Sequence, residues 1–290
     1  MTVRATGQGG PHPALVLVAA LIAAMLIAYV GPMGLALLLA VPVVAALDPA
    51  LIEGAFNVIV FGVLSLAALA GLRLTRGQVS AGARPALALP AGLAAGLFAV
   101  GMALALSNLA GVVHAGNGAP LRVLAYGGGT LVMLIQTGAE EFYFRGWLQP
   151  VLQRGWGRWA GIAATAGVFA LVHFASAIAD PLALPVLILA GLWFGILADR
   201  SGGLALPIAA HFGWNWGEGL VWGAAPNPGV GNFGSLFDLD LAGNALWGGG
   251  ADGLDTSLSS LFALAAVIAM SVLWPAINAS VRATGSAARG

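Results

Sequence analysis

Residues 138–146 read GAEEFYFRG and place Glu140, Glu141 and Arg145 inside a long apolar stretch. The chain around them has 290 residues, of which 60% are hydrophobic and only 8% are charged. A soluble domain has about 25% charged residues, so water could not keep this surface in solution. A helix needs roughly 20 apolar residues to cross a bilayer. We therefore predict that the stretch lies on a membrane-spanning helix of a polytopic membrane protein.

Apolar segments of spanning length recur on both sides of this stretch. The candidate spans lie near 13–31, 33–49, 54–73, 85–110, 120–150, 159–178, 182–198, 203–223 and 257–279. Only Gly31 and Pro32 separate the first two, which favours a tight hairpin and gives eight or nine spans. No sheet is expected, because an open sheet edge cannot face lipid. The expected fold class is an all-α, polytopic transmembrane helix bundle that forms a single membrane domain over 1–290.

The basic residues indicate which side of the membrane each connection faces. All of them are arginine, which together with abundant Ala and Gly is typical of a bacterial sequence, and arginine is enriched in cytoplasmic connections. With nine spans, the arginines that fall on one side are Arg73, Arg76, Arg84, Arg154, Arg158, Arg200, Arg282 and Arg289. Arg4 conflicts with that count, and eight spans with a re-entrant first hairpin would remove the conflict. We predict an integral protein of the bacterial cytoplasmic membrane, with a cytoplasmic C-terminus and with the acidic connection 224–256 on the other side.

Two totals exclude whole classes of function. The net charge is zero, which argues against nucleic acid as a partner. Cysteine is absent, which excludes disulfides, a thiol nucleophile and cysteine-ligated zinc.

The few polar residues inside the spans are concentrated on three helices. Ionisable groups within a membrane are costly and usually mark function. Glu141 and Arg145 are four residues apart, so they share a helix face and can form an ion pair. Glu140 is rotated by about 100° from Glu141, and it has no partner on its own helix. Such a carboxyl group is available to take and return protons.

Two later helices carry further polar side chains at the same spacing. His211 and Asn215 share one face, and His173 shares a face with Phe169. A carboxylate, two imidazoles and an amide that converge on one cavity could activate a water and stabilise an oxyanion. Glu218 continues the His211 face, but it lies near the end of its span, where solvent can reach it.

A purely structural interpretation of the same residues is also open. Glu141 and Arg145 can be a buried pair that only holds the bundle together. His173 and Asn215 can form hydrogen bonds between helices, as polar residues in membrane bundles often do.

Three motifs on successive predicted helices resemble those of a known family. Glu140-Glu141-Phe-Tyr-Phe-Arg145 is similar to the EExxxR motif of the CPBP family of intramembrane proteases, which includes the CAAX prenyl proteases of the Rce type and the bacterial Abi proteins. The segment from Phe169 to His173 resembles its FxxxH motif, and the segment from His211 to Asn215 resembles its HxxxN motif. The resemblance covers about 120–223, which we take as the catalytic core.

The resemblance implies a role for each matched residue. Glu140 would be the general base that activates water, assisted by His173. His211 and Asn215 would stabilise the tetrahedral oxyanion. Arg145 would hold Glu141 and keep the geometry of the site.

A divalent metal such as zinc is the alternative to a water activated by glutamate alone. Members of this family are often called metalloproteases, and Glu140, His173 and His211 would suffice as ligands of a catalytic zinc with an open position. Glu140 cannot be both ligand and base. No HExxH helix is present, and we favour a site without a cofactor.

The function expected is therefore an intramembrane endopeptidase, with the lipid bilayer and a peptide as its partners. The substrate would be a prenylated, CAAX-type peptide, a peptide that matures or is exported, or another membrane protein. A proton-coupled transporter is an alternative, but the sequence shows no inverted repeat. An inert CPBP-type scaffold, with a binding or immunity role, is the other alternative. The sequence leaves the oligomeric state and the role of Glu218 open.

Overall fold

The structure is a computed structural model that describes residues 11–116, 121–176, 180–224, 231–248 and 250–287. These residues are almost entirely helical, and six helices among them are long and apolar enough to cross a membrane. The helices are α1 (Pro13–Leu39), α2 (Pro42–Ala45), α3 (Pro49–Thr75), α4 (Pro85–Leu109), α5 (Val123–Glu141), α6 (Gln149–Trp156), α7 (Arg158–Ser176), α8 (Ala183–Ser201), α9 (Ala205–Trp216), α10 (Ala245–Gly248) and α11 (Leu258–Ala287). The expected all-α, polytopic bundle is confirmed.

Two of the long helices contain π-helical turns. The turn Phe142–Leu148 joins α5 to α6, and the turn Gly217–Trp222 extends α9. When each of these is counted as one rod, the described residues form eight long helical segments. Such turns inside α-helices occur frequently at functional sites, and here the first of them begins directly after the paired glutamates.

The hairpin expected at Gly31 and Pro32 is wrong. Helix α1 runs from Pro13 to Leu39 without a break, and Pro32 lies inside it. Proline is tolerated within membrane helices because neighbouring groups satisfy the backbone that it frees. The candidate span at 33–49 is therefore the end of α1, the short α2 and the start of α3.

Two short strands form in the connections. β1 (Val113–Ala115) pairs antiparallel with β2 (Leu239–Leu241), and His114 lies opposite Asp240. The expectation that the chain has no sheet is wrong here, because the restriction on sheet edges applies only to backbone that faces lipid. This pairing ties connection 224–256 to the end of α4.

Glycines fix α9 against α4. A Cβ atom at Gly96 would lie 2.1 Å from the carbonyl oxygen of Ala210, and one at Gly213 would lie 2.6 Å from that of Leu93. Only glycine allows two backbones to approach this closely in a membrane bundle. Helix α9 carries His211 and Asn215, so this contact sets where both residues stand.

Three arginine-bearing connections meet at one end of the bundle. The backbone N–H of Leu204 donates to the carbonyl oxygen of Ser80 at 2.9 Å, which joins the connection after α8 to the connection before α4. Nε2 of Gln153 donates to Oδ1 of Asp199 at 2.9 Å, which joins the end of α6 to the end of α8. The same end of the bundle therefore collects most of the arginines that the sequence analysis placed on one side.

Candidate active site

A cavity of about 370 Å³ lies among the helices. Its wall includes Glu140 from α5, His173 from α7, and His211 and Asn215 from α9. Asp255, from the turn that precedes α11, also lines it. Most of the remaining wall is aliphatic or aromatic, so the polar groups face an otherwise apolar space.

Glu141 accepts two hydrogen bonds at one oxygen. Nη1 of Arg145 and Nδ1 of His211 each lie 2.9 Å from its Oε1. Nη2 of Arg145 also donates to the carbonyl oxygen of Gly191 on α8, at 3.0 Å. The side chains of Glu141 and Arg145 are completely buried. One ion pair therefore connects α5, the π-helical turn, α8 and α9.

The hydrogen bonds of the two histidines indicate which ring nitrogen carries hydrogen. Nδ1 of His211 faces the Glu141 carboxylate, and Nδ1 of His173 lies 2.8 Å from the carbonyl oxygen of Phe169. Both of these oxygens accept, so we assign the hydrogen to Nδ1 in each neutral ring. The Nε2 atoms then present lone pairs, and each lies 3.7 Å from Oε2 of Glu140.

Glu140 is buried, with 3% of its surface exposed. Its Oε2 has no hydrogen-bond partner among the described residues, although both imidazoles point at it. Its Oε1 lies 3.5 Å from Nε2 of Gln136, one turn earlier on α5. The expectation that Glu140 has no partner on its own helix is therefore wrong. Oε2 of Glu140 and the Nε2 atoms of His173 and His211 therefore form a group of three hydrogen-bond acceptors. A single proton placed among them can bind to any one of the three.

Aromatic rings cover the charged pair. The guanidinium carbon of Arg145 lies 4.8 Å from the ring centre of Phe169 and 5.5 Å from that of Phe194. Phe194 also stacks on His211, with ring centres 4.5 Å apart. Cation–π contacts of this kind are strongest where water is excluded, so the rings help to keep Arg145 and His211 in one orientation.

The part of the chain that carries this arrangement is similar to a known family. Residues 121–217 match a family model described as type II CAAX prenyl endopeptidase Rce1-like. This segment is similar to the Rce1-like family. The recognition made from the three motifs is thereby confirmed. No curated protein and no solved structure matches the chain.

The Rce1-like segment contains every residue that the sequence analysis proposed for the site. Glu140, His173, His211 and Asn215 reach the cavity from three helices of the segment, and Glu141 lies behind them with Arg145. The family implies a peptidase of the CAAX type in a membrane-helix protein.

Two carboxyl residues beyond the Rce1-like segment also belong to this part of the molecule. Glu218 is buried, with 2% of its surface exposed, so the expectation that solvent reaches it is wrong. Asp255 lines the cavity, although sequence reasoning counted it only as one of several acids in a connection. The spacing from His211 pointed to Glu218, whereas nothing local in the sequence connects Asp255 with the motifs.

Glu140, His173 and His211 are the possible ligands of a metal ion at this site. In the described ranges, no group of three or more His, Asp or Glu side chains is arranged to hold one. Oε2 of Glu140 lies 3.7 Å from Nε2 of His173 and 3.7 Å from Nε2 of His211. Ligand atoms of a tetrahedral zinc, bound at about 2.0–2.1 Å, lie about 3.4 Å apart.

Proposed function

We propose that the chain is an intramembrane endopeptidase in which Glu140 activates a water molecule for attack on a peptide carbonyl carbon. One observation carries the proposal: a carboxylate, two imidazoles and an amide line one cavity of a membrane-helix protein. The Rce1-like family supports the same class of reaction.

The carboxylate of Glu140 takes a proton from the water, and the water oxygen bonds to the carbonyl carbon. The free Oε2 of Glu140 supports this role, because no described residue occupies it. The imidazoles of His173 and His211 are acceptors 3.7 Å away, so the proton can remain among these three groups. It then passes to the nitrogen of the scissile bond, in the manner of a general acid.

The oxyanion of the tetrahedral intermediate is stabilised by His211 and Asn215. The side-chain NH₂ group of Asn215 can always donate a hydrogen bond to the oxyanion, because it carries its hydrogens whatever the pH. His211 can donate from Nε2 only as imidazolium, because Nδ1 already bonds to Glu141. Donors aimed at a developing oxyanion commonly contribute about 10²–10³-fold in rate.

Glu141 and Arg145 hold this arrangement in place without touching the substrate. Glu141 fixes the ring of His211 through the bond to Nδ1, and Arg145 fixes Glu141. The proposed mechanism uses no metal.

The substrate proposed is a membrane-associated or prenylated, CAAX-type peptide. The wall of the cavity supports this class, because aliphatic and aromatic side chains from several helices make up most of it. Examples are Phe56, Phe61, Leu187 and Leu264. Burial of an apolar chain against such a wall is favourable.

The first test compares the peptide termini of membrane proteins from cells that carry the wild-type chain or the Glu140→Gln variant. The two side chains have nearly the same shape, so insertion should be equal. We expect termini that occur only with the wild-type chain, and these identify the substrate. Identical termini, with equal amounts of both proteins in the membrane, would refute the peptidase and favour a scaffold role.

A further inference from the structure

Asp255 enters the catalytic cavity from outside the three motif-bearing helices. It lies on the 3₁₀-helical turn Gly250–Thr256, between the acidic connection and α11. The backbone at Gly253 has φ 66° and ψ −148°, a conformation that is essentially restricted to glycine. The turn therefore changes direction two residues before Asp255, and the carboxyl group lines the cavity together with Glu140, His173, His211 and Asn215.

Glu218 holds this turn to α9. Its buried carboxyl group accepts hydrogen bonds from the indole N–H of Trp214 and from the backbone N–H of Leu254. Leu254 immediately precedes Asp255 and is completely buried. A buried carboxyl group is costly unless it is hydrogen-bonded, and the bonds of Glu218 join α9 to the backbone of the turn. The conformation fixed here is the one that points Asp255 into the cavity.

Asp255 lies within electrostatic range of the other ionisable groups of the cavity. Asp255 interacts electrostatically with His173 and His211, and also with the like charges of Glu140, Asp252 and Glu218. The groups proposed to stabilise the oxyanion, His211 and Asn215, serve the negative charge of the intermediate. The other charge that develops during hydrolysis is positive, and it lies on the nitrogen that leaves.

We propose that Asp255 is a further catalytic residue, the carboxylate that stabilises the positive charge on the leaving nitrogen, and that Glu218 is its positioning residue. This inference rests on the proposed peptidase function. The unpartnered Oε2 of Glu140, buried and directed into the same cavity, marks where the reacting water sits.

The step balances with the groups already named. The proton that Glu140 removes from water moves to the nitrogen of the tetrahedral intermediate, which becomes positively charged beside Asp255. The C–N bond then breaks, its electron pair goes to nitrogen, and the neutral amine leaves. The carboxyl proton of the other product passes to that amine, and the resulting ammonium group pairs with Asp255.

The test uses the reconstituted full-length chain with two substrates. One is the peptide identified by the wild-type-only termini, and the other is the same peptide with an ester oxygen in place of the scissile N–H. An ester oxygen does not become cationic as it leaves. We expect Asp255→Asn to lower kcat for the peptide about 10²-fold, the scale of one preorganised electrostatic contact, and to leave kcat for the ester unchanged.

Two further variants separate catalysis from folding. Asp252→Asn removes the same charge from the same turn, but Asp252 does not line the cavity, so both kcat values should stay at the wild-type level. Glu218→Ala should reproduce the peptide-selective loss, and Glu218→Gln should restore most of it, because its amide oxygen can still accept from Leu254. Equal losses on peptide and ester, or full peptide activity in Asp255→Asn, would overturn the inference.

If Asp255→Asn does not insert into the membrane, inhibition of the wild-type protein by its product tests the same inference. The C-terminal product peptide, with its free α-amine, should inhibit more strongly than its N-acetylated form. Equal inhibition would overturn the inference. Failure of the proposed function gives a different result, because wild-type and Glu140→Gln membranes would then have the same termini.

Discussion

At the scale of single residues, the site depends on one buried carboxylate with two partners. Glu141 bonds to Arg145 and His211 through the same oxygen, while its other oxygen, Oε2, has no hydrogen-bond partner among the described residues. Removing Arg145 would leave Glu141 without its cationic partner at a position where its side chain is completely buried. Breaking a buried pair in this way is far more damaging than losing the attraction alone.

We expect Arg145→Ala to lower the free energy of unfolding by about 3–5 kcal/mol. Folded yield and activity should fall together, because Glu141 would no longer hold His211 in position. The measurement is the melting temperature of the purified protein, together with its yield from membranes.

The matched control for Arg145→Ala is Arg122→Ala. Arg122 pairs with Asp48 at 2.6 Å, but the side chain of Arg122 is 61% exposed. Exposed pairs often contribute nothing measurable, so this variant should keep the wild-type melting temperature. Full yield and activity in Arg145→Ala would contradict the role given to the buried pair.

Whether the peptidase activity needs a metal ion depends on three side chains, those of Glu140, His173 and His211. We expect peptidase activity to survive 1,10-phenanthroline, and we expect elemental analysis of the active protein to show no stoichiometric zinc. The non-chelating isomer 1,7-phenanthroline is the control for inhibition by the aromatic molecule itself. Loss of activity with 1,10-phenanthroline but not with 1,7-phenanthroline, restored by zinc, would show that the activity depends on a metal.

The sequence predicts which side chains lie close together when both are on the same helix. Helical spacing alone led to the proximity of Glu141 and Arg145 and to the shared face of His211 and Asn215. The bond between Glu141 and His211 could not be predicted, because it depends on how α5 and α9 cross. The place of Asp255 in the cavity depends on a backbone turn with no sequence period.

At the scale of elements, the α5–α6 rod is joined to α8 by a ladder of polar side chains. The three rungs run from Arg145 to the carbonyl oxygen of Gly191, from Gln149 to that of Gly195, and from Gln153 to the carboxylate of Asp199. Both sides advance by four residues at each rung, which is the repeat of two helices in register. The ladder fixes the height of α8 relative to Glu140, and therefore the place of Phe194 against His211.

The second fixed contact between elements is that of α4 with α9, and it gives a prediction. We expect Gly96→Ala to displace α9, because the added Cβ would lie 2.1 Å from the carbonyl oxygen of Ala210. Since His211 follows Ala210, peptidase activity and the melting temperature should both fall.

Gly101→Ala is the matched control on the same helix. Nothing lies within 4 Å of a Cβ atom at this position. Alanine also favours helix over glycine by about 1 kcal/mol, so the protein should be as stable as wild type or more so. Equal behaviour of the two variants would contradict the account of how α9 is positioned.

Two kinds of element differ from the sequence prediction: the first helix is continuous, and two short strands are present. The apolar spans predict helices correctly, but Gly31 and Pro32 predict a turn between two of them, and proline does usually end a helix in water. Inside a membrane bundle the same residues remain in α1. The strands β1 and β2 were missed because each is only three residues long.

At the scale of the whole molecule, the arginine-rich end of the bundle also receives the start of the chain's first helix. A Cβ atom at Gly155 would lie 2.5 Å from Cγ of Pro13. The start of α1 therefore lies beside the connection that carries Arg154 and Arg158. Arg4, which conflicts with the nine-span count, lies outside the described residues.

We predict that this end faces the cytoplasm, as the arginine bias indicates, and that the C-terminus lies there too. Because the chain has no cysteine, single cysteines can be labelled without background. Gln78→Cys should react with a membrane-impermeant maleimide only after the cells are opened, whereas Ala242→Cys should react in intact cells. The opposite pattern would reverse the orientation, and labelling of both in intact cells would contradict the separation of these connections.

The measurement that tests the central claim most directly is peptide hydrolysis by purified wild-type and Glu140→Gln proteins in lipid vesicles. The peptide is the one identified by the wild-type-only termini. We predict that Glu140→Gln inserts and melts like wild type but loses at least about 10²-fold in kcat, the lower bound for loss of a general base. A Glu140→Gln protein that cleaves this peptide at the wild-type rate would contradict the claim that Glu140 activates the water.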